Sequence, residues 1–127
     1  MKRVLLAAAL AGLASPSPAA EAAPKLSLEQ KTLLRCSAAF AIIASEQARG
    51  VESALAYPPL GERGKEYFVQ AGARLIGELK LTHEQVDGLY RAEIKRLQDE
   101  SATSDDPRAL VTSIMQPCLL SLDASGI

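Results

Sequence analysis

The sequence predicts an all-α fold: a small four-helix bundle-like domain with one disulfide joining its first and fourth helices. Three observations carry this prediction. Apolar residues after residue 23 recur at intervals of three and four, the helical period, and none of these stretches alternates as a strand does. Two helix starts carry capping boxes and a third carries an Asp-Pro pair. The two cysteines, Cys36 and Cys118, fall in the first and the last periodic stretch.

The first helix is predicted over Leu28 to Arg49. Ser27 supplies the cap, Gln30 holds the reciprocal position of the box, and Gly50 suits the left-handed residue that follows a helix. Leu33, Cys36, Phe40 and Ile43 make its apolar face. Val51 to Ala56 has room for another turn or two, and Tyr57-Pro58-Pro59 must stop it, because proline lacks an amide and restricts the residue before it.

The second helix is predicted from about Glu62 to Lys80, with Phe68, Ala71, Leu75 and Leu79 inward. Gly64, Phe68, Gly72 and Ile76 form one i, i+4 row, so its glycines allow another helix to come close. In the third helix Thr82 is the cap, Gln85 completes the box, and Leu81 staples onto Val86. Val86, Leu89, Tyr90, Ile94 and Leu97 mark its core face, Asp87 and Arg91 make a surface ion pair, and the helix fades near Asp99. After a polar loop, Asp106 and Pro107 read as N-cap and N1 of the fourth helix. Leu110, Val111, Ile114, Met115 and Cys118 face inward, and Pro117 is expected to kink that helix or end its regular part.

The chain of 127 residues has room for about one domain. Its opening, MKRVLLAAALAGLASPSPAAEAAP, has the three parts of a secretory signal peptide: Lys2 and Arg3, then the apolar run Val4 to Ala14, then small residues fitting cleavage between Ala20 and Ala23. The apolar run is shorter than the roughly 20 residues a membrane span needs. The organisation is therefore a leader at residues 1–22 and one helical domain at 23–127, periplasmic or secreted, with no stable membrane anchor after cleavage. Losing Lys2 and Arg3 while Glu21 stays leaves 12 basic against 15 acidic residues, a charge of −3. In an oxidising compartment Cys36 and Cys118 pair, closing a loop 82 residues long.

The balanced charge argues against a nucleic-acid partner, since no basic surplus exists to neutralise phosphates. Aromatic residues make up 4% of the chain, with no Trp, which disfavours stacking platforms. His83 is the single histidine and has no partner motif, so neither a metal nor a cofactor is expected. Asp99, Glu100, Asp105 and Asp106 lack the alternating spacing of a calcium loop. The most unusual chemistry lies in residues 57–65, where a rigid apolar turn stands beside two cations. There Tyr57 and Leu60 are candidate partner-binding anchors, with Arg63 and Lys65 setting charge complementarity.

The plan of leader, small helical domain and one long-range disulfide resembles that of small periplasmic helical proteins, the acid-stress chaperones among them. The absence of a catalytic constellation, together with helices whose small-residue faces can open or dock, points to an exported non-enzymatic protein acting on a protein partner as chaperone, inhibitor or accessory subunit. The alternatives are a carrier of lipid or another small molecule, and a minor hydrolase using carboxylates or His83.

Overall fold

The computed structural model describes residues 24–127 together with Gly12; the predicted leader lies outside the described residues. Among those residues the chain forms five helices: α1 (Leu28–Ala48), α2 (Glu52–Leu55), α3 (Arg63–Leu79), α4 (His83–Thr103) and α5 (Pro107–Ala124). Four are long, as predicted, and α2 is a single added turn. No helix among the described residues is long and apolar enough to cross a membrane.

The local start and stop signals act as expected. Ser27 Oγ accepts from Gln30 N at 3.1 Å while Ser27 N donates to Gln30 Oε1 at 2.9 Å. Thr82 and Gln85 repeat this at α4, and Asp106 Oδ1 accepts from Ala109 N at 3.1 Å to open α5. α1 ends in a Schellman motif: Gly50 has φ +74°, Val51 N donates to Glu46 O and Gly50 N to Gln47 O, both at 3.0 Å. α3 ends similarly, but the left-handed residue is Lys80 at φ 53°.

α1 is the central helix and packs most extensively on α3 and α4. Its residues 36–40 are therefore buried on every side, a wider burial than the single face predicted. One core cluster joins Phe40, Leu60, Tyr67, Met115 and Leu122 around the disulfide, and a second joins Leu34, Leu75, Val86 and Tyr90. Cys36 and Cys118 are bonded, with Cα atoms 5.2 Å apart and both residues 2% exposed. The predicted bridge thus ties α1 to the last helix.

Two of the four glycine-row positions explain how close the helices come. A Cβ on Gly64 would stand 3.2 Å from Phe40 Cβ and 3.3 Å from Leu60 Cβ, and one on Gly72 would stand 3.2 Å from the Tyr90 hydroxyl.

Several expectations need correction. The face of α3 is rotated: Tyr67 is buried and Phe68 half-buried, because Tyr67 packs edge-on against Phe40 at 5.1 Å and its hydroxyl meets Ser121 Oγ at 2.9 Å. α4 does not fade at Asp99 but runs to Thr103, where Thr103 Oγ1 donates to Asp99 O at 3.0 Å and Arg35 holds Glu100 at 3.2 Å. α5 continues through Pro117 to Ala124. The missing amide costs a helix interior about 3 kcal/mol, offset here by the adjacent Cys118 bridge and by burial of Met115 and Leu122 on either side. Asp87 and Arg91 do not pair with each other; among the described residues Arg74–Glu78 at 2.8 Å and Lys95–Asp99 at 2.6 Å are such i, i+4 pairs.

Candidate functional site

Residues 57–63 do not project as a free loop; they strap α1 to α5. The strap is held by a side chain absent from the sequence-based expectations, Gln47 of α1. Gln47 Nε2 donates to Ala54 O at 3.0 Å, Pro58 O at 2.9 Å and Tyr57 O at 3.3 Å, and its Oε1 accepts from Leu60 N at 3.0 Å. Two prolines in a row cannot donate to a turn, so a carboxamide supplies the missing partners.

The four residues proposed as a contact patch go to different places. Leu60 is fully buried in the core and has no surface to offer a partner. Tyr57 is half-buried, its hydroxyl 3.4 Å from Thr112 Oγ1 in the first half of α5. Arg63 pairs with Asp123 Oδ1 at 3.0 Å and donates twice to Ile127 O, at 2.9 and 3.1 Å. Thr112 and Asp123 are about 16 Å apart along a helix rising 1.5 Å per residue, so Tyr57 and Arg63 fasten opposite ends of α5. Lys65 alone is exposed and makes no ion pair among the described residues. The correction has a simple cause: an apolar anchor and a guanidinium find intramolecular partners whenever the chain folds back within reach.

The other candidates are placed as follows. His83 is exposed at the first position of α4. The acidic residues near the α4–α5 junction are dispersed: Asp99 pairs with Lys95, Glu100 with Arg35, and Asp106 caps α5. No three His, Cys, Asp or Glu side chains converge among the described residues.

Two features escaped the periodicity. Glu93 is 6% exposed yet charged, held by Arg96 in a two-pronged contact at 2.6 and 2.8 Å and by Arg35 at 3.7 Å. It links α4 to α1 electrostatically, and a buried carboxylate requires such partners. Tyr90 stacks on Phe68 with ring centroids 3.9 Å apart and donates to Phe68 O at 2.8 Å. Burial pushes its hydroxyl up to about 12, while the nearby Ser37 hydroxyl pulls the other way. Ser37 Oγ is buried and forms no hydrogen bond of good geometry among the described residues.

What the fold leaves open is a cleft between α1, the end of α4 and the first half of α5. Leu110, Val111 and Ile114 of α5 face it but remain half-buried, and of the residues before Cys118 only Met115 is buried. Opposite them stand Ile42 and Ile43 of α1 and Leu97 of α4 together with the smaller Ala39, Ser101 and Ala102, and these side chains do not fill the space. A cavity of about 280 Å³ results, and it continues into a larger one of about 870 Å³ walled by α2 and Tyr57. Ile43, Glu46, Ser101 and Val111 line both. The larger cavity also holds Glu52 and Arg108, and Leu55 beside them is 58% exposed. None of Glu46, Glu52 and Arg108 makes an ion pair among the described residues. Sequence periodicity placed Ile43 and Val111 inside; Ile43 is buried as expected, while Val111 is only half-buried, and the period carried no signal of that difference.

No protein-family model, curated protein or solved structure matches this chain.

Proposed function

We propose that this chain is a small exported, non-enzymatic helical protein that acts by binding another protein, as chaperone, inhibitor or accessory subunit. Its docking surface is the α1–α4–α5 cleft, with Tyr57 at the rim. The observation that carries this is the cleft itself: aliphatic side chains of α1 and α5 left half-covered, next to exposed Leu55 and charged groups that are unpaired among the described residues. Exposed apolar surface framed by polar groups is the signature of an interaction site. Export is supported by the leader sequence and by the disulfide at the centre of the core, a bond that persists in oxidising compartments.

A photo-crosslinking residue placed at Ala102 or Leu55 in the exporting cell is expected to give a protein adduct, and one at exposed Val69 on α3 is not. Equal adducts at all three positions, or none, would refute the cleft as the docking surface. A cavity of about 280 Å³ with an apolar lining also suits a small ligand; a co-purifying mass in native mass spectrometry would favour that second reading.

A further inference from the structure

Resting on that reading of the cleft, we infer that the partner segment is apolar with a single Lys or Arg beside its hydrophobic anchors, seated against Glu46. Glu46 is half-buried where the two cavities meet and lines both. Its carboxylate has no hydrogen-bonded or ionic partner among the described residues. In the empty cleft water solvates it. A wholly apolar occupant covering half-buried Val111 would strip that water and leave a buried, uncompensated charge. An acidic occupant would add repulsion. A cation at that point turns the same desolvation into a paired contact and strengthens it as water leaves.

The rest of the rim agrees. Glu52 on α2 lines the same larger cavity and adds a second negative charge on that side. Arg108 stands on the α5 side of that cavity, exposed and unpaired among the described residues. It repels a second cation there, so the rim favours one positive charge at the α1–α2 side and none at the α5 side. Helices wall the cleft on both sides, which matches the seating of an amphipathic helix in a groove.

The test uses the whole disulfide-bonded protein and fluorescent amphipathic peptides of about four helical turns, identical except for a central Lys, Glu or Leu. Fluorescence anisotropy is expected to give binding about fivefold tighter for the Lys peptide than for the Glu peptide, the scale of one partly exposed ion pair. Glu46→Gln should abolish that preference and Glu46→Lys should invert it. Ala102→Leu, at an exposed position where a larger side chain can enter the cleft, should weaken all three peptides while circular dichroism shows the helices intact. If all three peptides bind alike to the parent protein but are lost in Ala102→Leu, the charge inference is overturned and the cleft remains the docking surface. If no peptide binds, or if Ala102→Leu binds as the parent does, the cleft reading fails and takes this inference with it. Self-association in sedimentation that Ala102→Leu abolishes would seat a second copy in the cleft and also overturn it.

Discussion

Replacing Gln47 by alanine removes one carboxamide and unfastens an entire strap. That carboxamide donates to Ala54 O at 3.0 Å and Pro58 O at 2.9 Å, with a longer contact to Tyr57 O, and accepts from Leu60 N at 3.0 Å. With two N–H groups serving three carbonyls, one contact is shared, leaving about three effective bonds at roughly 1 kcal/mol each. Leu60 N lies beside a fully buried side chain, so leaving it unpaired adds a cost in the range of about 1–3 kcal/mol, at the low end where water can reach it. Gln47→Ala is therefore expected to lose about 3–4 kcal/mol in urea unfolding followed by circular dichroism. On a domain of this size that is a fall in Tm of roughly 12–32 °C. Gln47→Glu keeps the acceptor for Leu60 N but turns the donors into a charge facing carbonyls, so it should be no better than alanine at neutral pH. A Gln47→Ala variant within about 0.5 kcal/mol of the parent would show that burial of Leu60 alone holds the strap.

Replacing Cys36 and Cys118 together by alanine releases a loop 82 residues long, worth up to about 4–5 kcal/mol in the chain-entropy estimate; denaturant unfolding that barely moves would contradict it. Gly64→Ala is expected to destabilise by about 1–3 kcal/mol, since the new methyl meets Phe40 and Leu60. Gly77→Ala, into open space on the same helix, should instead gain about 0.5–1 kcal/mol, and equal melting shifts for the two would refute the close-approach argument. Tyr90 ionises near its ordinary value in the unfolded chain but only at about 12 in the folded one. The folded state thus keeps a proton that the unfolded state loses, so this contribution is intact below about pH 10 and is lost as pH rises towards 12, an effect of about 2–3 kcal/mol. Alkaline unfolding monitored by tyrosinate absorbance should show it, and Tyr90→Phe should flatten that part of the pH profile; an unchanged profile would remove Tyr90 as its source.

What could be read from the sequence was what neighbours in the chain decide. Ser27 with Gln30, Thr82 with Gln85, and Asp106 with Pro107 lie within one turn of each other, and each opens a helix where expected. The bridge was legible because two cysteines allow one pairing. Illegible features depend on residues brought together by the fold. Glu93 looks like any surface glutamate until Arg35, far away in sequence, arrives beside it. Tyr67 and Phe68 are adjacent and both aromatic, and the positions of Phe40 on α1 and Ser121 on α5 decide which turns inward. Gln47 reaches backbone atoms 7 to 13 residues on, a geometry no side-chain period encodes.

The placement of the candidate contact residues has a related cause. Tyr57, Leu60 and Arg63 stood out because they concentrate strong interaction chemistry in a short irregular segment. Within a folded chain such groups satisfy each other first: Leu60 enters the core and Arg63 takes Asp123 and Ile127 O. A surface that remains free for another molecule is made where the fold runs out of side-chain volume. Here α5 is fastened by the disulfide in its second half, by Asp123 near its end and by Tyr57 at Thr112, while Val111 and Ile114 between these points stay half-buried near Ser101 and Ala102. Filling that gap from within is the direct challenge to this account. Ala102→Leu should leave stability equal or higher, because added aliphatic surface is covered by Val111 and Ile114 at about 25 cal/mol per Å². Marked destabilisation by that change would mean that the space is already closed in solution, and that the half-buried face of α5 has no vacancy to offer a partner.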